Sequence, residues 1–100
     1  MPFTDWKVYI KANLDAVPEV FGVYETSNSK TDSSQVTYIE CGEIRDELRR
    51  QLSDSCVGSS TYFRYEQSFF DKIAQERERA LLQEFREKHG RLPICNEHRG

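Results

Sequence analysis

Apolar positions alternate with polar ones in several short runs along the first two thirds of the chain and then recur at helical spacing towards its end. Trp6-Lys7-Val8-Tyr9-Ile10 alternates and predicts a short strand or an extended lead-in, with Trp6 a core or lid aromatic. Residues 13–17 predict a turn of helix ended by Pro18, because proline disfavours helical backbone in the residue before it. Residues 20–26 are the first firm strand, with Gly22 giving backbone freedom or close approach inside it. Residues 27–35 carry no apolar side chain and predict a mobile hairpin loop, longer than a two-residue turn. Val36-Thr37-Tyr38-Ile39 is the second strand, and its β-branched residues and tyrosine suit a half-buried sheet. Each strand of this hairpin carries a tyrosine, Tyr24 and Tyr38, so the pair builds either a site or a cross-strand aromatic contact in the core.

Gly42 then breaks the chain, and residues 43–52 predict a helix with Ile44, Leu48 and Leu52 four apart on one face. Arg45 and Arg49 border that face on one side, Glu47 and Gln51 on the other. After a loop of small residues, Tyr62-Phe63-Arg64-Tyr65-Glu66 alternates as a third strand. The final helix starts at residue 69 or 71 and ends at Lys88, with Gly90 as its stop and Pro93 beyond. Wound at about 100° per residue, it places Phe70, Ala74, Leu81, Leu82 and Phe85 on one arc about 120° wide. Glu78 falls inside that arc, and an ionised carboxylate there needs a partner, a metal or an edge open to water. The order strand, strand, helix, strand, helix predicts an α/β (α+β) fold, a small three-stranded antiparallel sheet flanked by helices in a single domain over residues 1–100.

With 100 residues the chain supports one modest core. A net charge of −3 excludes attachment to phosphates by overall charge, although eleven of the fourteen Lys and Arg follow residue 40 and leave room for a local basic patch. No apolar run approaches the roughly 20 residues of a membrane span, and no basic-then-apolar leader opens the chain, so a cytoplasmic protein without a membrane partner is expected. Cys41, Cys56 and Cys95 contain no CxxC pair and are expected as reduced, partly buried thiols. Cys95 and His98 share a C-x2-H spacing, but a zinc site needs two more ligands from Cys41, Cys56 or His89.

Taken in order, Gly22-Val23-Tyr24, Tyr38-Ile39-Glu40, Glu78-Arg79-Ala80-Leu81-Leu82 and Leu92-Pro93-Ile94-Cys95-Asn96 resemble the motifs of the GIY-YIG nuclease superfamily, short stand-alone type. The resemblance implies DNA phosphodiester hydrolysis with one divalent ion, Mg2+ or Mn2+, held by Glu78. It also implies that Tyr24 and Tyr38 position or deprotonate the attacking water, and it makes Asn96 the asparagine that ends the family's closing segment. A metal neutralises phosphate and acidifies bound water, and an arginine fork matches phosphate oxygens. Three positions depart from the family: Glu40 stands where it has glycine, Glu47 where it has the catalytic arginine, and Gln51 where a histidine is common. Arg45 or Arg49, each within about one turn of Glu47, is then the candidate for the phosphate. Two readings follow, an endonuclease with an altered site, or a catalytically inactive domain of the same fold that binds nucleic acid or a protein partner.

Overall fold

The computed structural model describes residues 2–97. Its organising layer is an antiparallel sheet of four strands, β1 (Lys7–Val8), β2 (Phe21–Ser27), β3 (Val36–Glu43) and β4 (Tyr62–Gln67), in the order β1-β4-β2-β3. The mixed fold is therefore as expected, with one strand more than the three anticipated. The addition is β1, two residues that pair Lys7 with Phe63 and Val8 with Tyr62. Helix α1 (Lys11–Asp15) follows it, two residues earlier than Pro18 alone suggested.

The hairpin of β2 and β3 pairs from Phe21↔Glu43 to Ser27↔Val36, with a shift of register after Thr26. Gly42 does not break the chain. It continues β3 opposite Gly22, and a Cβ added to it would lie 2.9 Å from the Glu47 side chain. Helix α2 (Ile44–Gln51) starts directly afterwards and buries Ile44 and Leu48, as their spacing predicts.

Alternation along the strands divides the core in two. Tyr24, Tyr38 and Phe63 face Tyr9, Leu14, Val17, Ile44, Leu48 and Val57, the side covered by α1 and α2. Val23, Val36 and Ile39 face Ala74 and Phe85 of α3 (Asp71–His89), with Trp6, Leu81 and Leu82 packed around them. Gly90 ends α3 in the left-handed conformation that favours glycine. Phe70 leaves the expected arc: it precedes the first helical residue with extended backbone, so helical phase does not apply to it, and it is 65% exposed.

The chain closes with α4 (Ile94–Glu97), a single turn. It carries the clearest departure from expectation. Cys56 and Cys95 are joined in a disulfide, with Cα atoms 5.7 Å apart, and Cys41 alone keeps a free thiol. A separation of 39 residues without a local motif gave no sign of this pairing. The bond removes both cysteines from any zinc site, and His98 lies outside the described residues.

Candidate functional site

Antiparallel register sets the two tyrosines diagonally: Tyr24 lies opposite Glu40, and Thr26 lies opposite Tyr38. Their rings tilt at 50° with centroids 6.1 Å apart, a contact that stabilises the sheet by itself. Both are core residues, Tyr24 wholly buried and Tyr38 2% exposed. Only their hydroxyls reach polar partners, and each reaches a carboxylate. The Tyr24 hydroxyl donates to Glu47 Oε1 at 3.4 Å, and the Tyr38 hydroxyl donates to Glu40 Oε2 at 3.1 Å. Burial, reinforced by Tyr38, Glu47 and Glu40, holds the Tyr24 phenol far above its ordinary pKa of 10.0. At neutral pH Tyr24 is therefore a hydrogen-bond donor.

Glu78 reaches the same edge from α3. Its Oε1 accepts from the Cys41 backbone N–H at 2.8 Å, and that N–H also meets Glu40 Oε1 at 3.2 Å. The partner required by a carboxylate on the apolar arc of α3 is thus a backbone amide of the outermost strand. Burial lifts the Glu40 carboxyl from 4.5 to about 7, and the neighbouring Glu78 adds to the rise by hydrogen bonding and by charge. Burial likewise pushes the Cys41 thiol up to about 12, with Glu78 contributing.

Glu40, Cys41 and Glu78 bring one ligand atom each within 4.8 Å of one another, a grouping with Cys41 that spacing arguments did not include. The adjacency of Cys41 to Glu40 in the edge strand was the available clue. Two carboxylates fit a hard divalent ion such as Mg2+ or Mn2+, while the sulfur suits a softer one and must first lose its proton.

A raised carboxyl pKa has a consequence for stability. The folded protein holds the Glu40 proton more tightly than the unfolded chain, so its contribution is complete below pH 4.5 and is lost as pH rises to about 7. Metal-free protein is expected to lose roughly 1–2 kcal/mol across that window, after allowance for solvent screening of a part-exposed group. Urea unfolding from pH 4.5 to 8 measures the loss, and Glu40→Gln should flatten the profile.

The two arginines suggested for phosphate lie elsewhere. Arg45 pairs with Glu19 and also donates to the Val17 carbonyl, while Arg49 pairs with Asp15 at 2.8 Å. Both are drawn towards α1 and the segment after it, because they project from the side of α2 away from Glu47. The arginine linked to Tyr24 through Glu47 is Arg50, which sequence reasoning passed over although it stands three residues from Glu47. It pairs with Glu47 Oε2 at 2.7 Å and is largely exposed. Asn96 lies on the same strand edge but in a structural role: its Oδ1 accepts from the Ile39 N–H and its Nδ2 donates to the Ile39 carbonyl, both at 2.9 Å. A crevice of about 480 Å³ lies apart from this group, lined by Leu82, Gln83, Arg86, Glu87 and Leu92.

Fold and site together define a small mixed domain in which two tyrosines and three glutamates meet at the edge of a sheet, Tyr24 bonded to Glu47, and Tyr38, Glu40 and Glu78 joined around the Cys41 amide. The chain belongs to the DUF7508 family, a domain of unknown function, whose family model matches residues 1–88 and so includes these five residues but not Asn96. No curated protein and no solved structure matches the chain. Among the described residues no helix is long and apolar enough to cross a membrane.

Proposed function

We propose that this chain is a GIY-YIG-like domain without catalysis, acting as an interaction module. The observation that carries the reading is the state of the α2 arginines: Arg45, Arg49 and Arg50 each pair with a carboxylate, Arg50 with the same Glu47 that accepts from Tyr24. A phosphodiester approaching Tyr24 and Tyr38 meets Glu40, Glu47 and Glu78, and every arginine of α2 is already engaged. Tyr24, protonated and engaged, has no proton vacancy for the attacking water. Repulsion of phosphate by these acids favours a protein partner over nucleic acid.

A second reading, a Mg2+- or Mn2+-dependent DNA endonuclease, is favoured by the Glu40, Cys41 and Glu78 grouping. In it the two carboxylates hold the ion and Arg50 is released from Glu47 to meet the phosphate. The bound ion would neutralise phosphate charge and acidify water.

Incubation with supercoiled and branched DNA in Mg2+ or Mn2+ separates the two. The module reading expects no cleavage above the protein-free rate, whereas metal-dependent cleavage abolished by Glu78→Ala overturns it. DNA binding that weakens steeply with salt would make nucleic acid the partner.

A further inference from the structure

Among the described residues the outer edge of β3 has no neighbouring strand, yet the Ile39 backbone is fully satisfied, since the Asn96 side chain supplies the acceptor and the donor that a fifth strand would bring. Ile39 sits between Tyr38 and Glu40, so this cover borders the candidate site. Asn96 is carried by α4, whose four residues are too few to hold a helical turn by themselves. Its neighbour Cys95 is tied to Cys56, at the start of the turn Val57–Ser59 on the far side of β4 in sequence.

We propose that the Cys56–Cys95 disulfide is a redox clasp: oxidised, it keeps Asn96 on the edge of β3, and reduced by a dithiol, it lets α4 leave and opens that edge. The sulfurs are unequally placed, Cys56 half-buried and Cys95 1% exposed. A reductant thiolate therefore attacks Cys56 Sγ, and Cys95 departs as a thiolate that takes up a proton. The reductant's second thiol, losing its proton, then attacks the mixed disulfide and frees Cys56 as a thiolate, which is protonated in turn. Two electrons and two protons pass to the protein, and the dithiol ends as its own disulfide.

Apart from the buried Cys95 and the buried Pro93 just before it, what remains on α4 is weak. Its two side-chain bonds to Ile39 exchange for bonds to water at little net gain, and Ile94 is already half exposed. An uncovered strand edge offers the row of N–H and C=O groups with which extended peptides pair. The clasp thus sets whether the border of the site is closed or available, independently of whether the site catalyses.

Amide hydrogen exchange on the full chain, before and after dithiothreitol, reads this directly, with alkylation and mass measurement counting the thiols. One free thiol is expected before reduction and three after. Exchange at the Ile39 amide should rise at least tenfold on reduction while amides of the β2–β4 ladder keep their protection. Cys56→Ser should reproduce the reduced pattern without reagent, and Asn96→Ala should exchange fast at Ile39 in both redox states. Unchanged protection of Ile39 with three thiols counted overturns the clasp, as does its loss together with the β2–β4 ladder or the finding of three free thiols in protein purified and assayed without reductant.

Discussion

Arg64→Ala is expected to cost about 3–5 kcal/mol of stability at neutral pH, the range for removing one partner of a buried ion pair. Arg64 on β4 stands opposite Glu25 on β2, and its Nε and Nη2 both contact Glu25 Oε1, at 2.8 and 2.7 Å. Glu25 is 3% exposed, and burial raises its pKa even with Arg64 present. Without the guanidinium the carboxylate remains in the sheet without its charge partner. Packing is lost as well, because the Arg64 guanidinium carbon lies 4.5 Å from the Phe3 ring centre and 4.3 Å from that of Trp6, fastening the N-terminal segment to the sheet.

The sign of the pH dependence identifies the cause. In Arg64→Ala the folded-state pKa of Glu25 rises further, so the penalty is present at neutral pH and shrinks as acid protonates Glu25. Urea unfolding at pH 7 and pH 4.5 should show this, and Glu25→Gln/Arg64→Ala should recover much of the loss at pH 7. A loss below about 1 kcal/mol, or one equal at both pH values, would mean that the pair is solvated despite its burial.

Gly22→Ala is the other large effect. A Cβ there would lie 2.1 Å from the Glu66 carbonyl oxygen and 3.0 Å from the Gln67 Cα, so β2 and β4 have to part. Both obstacles are backbone, with no side-chain rotation to relieve them, and a loss of about 3 kcal/mol is expected, the upper part of the overpacking range. Denaturant titration beside Gly90→Ala provides the comparison. Nothing lies within 4 Å of a Cβ at Gly90, so any cost there comes from its left-handed backbone. A Gly22→Ala protein as stable as the wild type would contradict the close approach of the two strands.

Gly22 also illustrates what the sequence revealed. A glycine inside an alternating strand indicated close backbone approach, and the partner turned out to be β4. The tyrosine hairpin, the buried Ile44 and Leu48 and the long helix were legible for the same reason: each depends on spacing within a single element. Features joining distant elements were hidden. The Cys56–Cys95 bond, β1 on β4 and Asn96 on Ile39 depend on which segments meet after folding, which local periodicity does not encode. Arginine direction was obscured too, because Arg45 and Arg49 were placed by the helix and then claimed by Glu19 and Asp15 from another segment. Gly42 misled in the opposite sense: read as a break, it is a continuing strand residue without a Cβ where Glu47 comes close.

The candidate site was legible as a set of residues and not as chemistry. Tyr24, Tyr38, Glu40 and Glu78 do converge, but on one another, through the Cys41 amide, the Tyr38 hydroxyl and the contact of the two tyrosine rings, while the Tyr24 hydroxyl turns to Glu47. Convergence of this kind satisfies buried polar groups, and catalysis further requires groups left free to engage substrate.

The most direct test of the non-catalytic reading is a time course of supercoiled plasmid nicking by the wild-type chain in Mn2+ at pH 8, above the pKa of about 7 of Glu40, so that Glu40 can take a cation. The expected result is a nicking rate equal to that of metal and DNA alone, at every protein concentration. Nicking that grows with protein, requires the metal and vanishes in Glu78→Ala would contradict it.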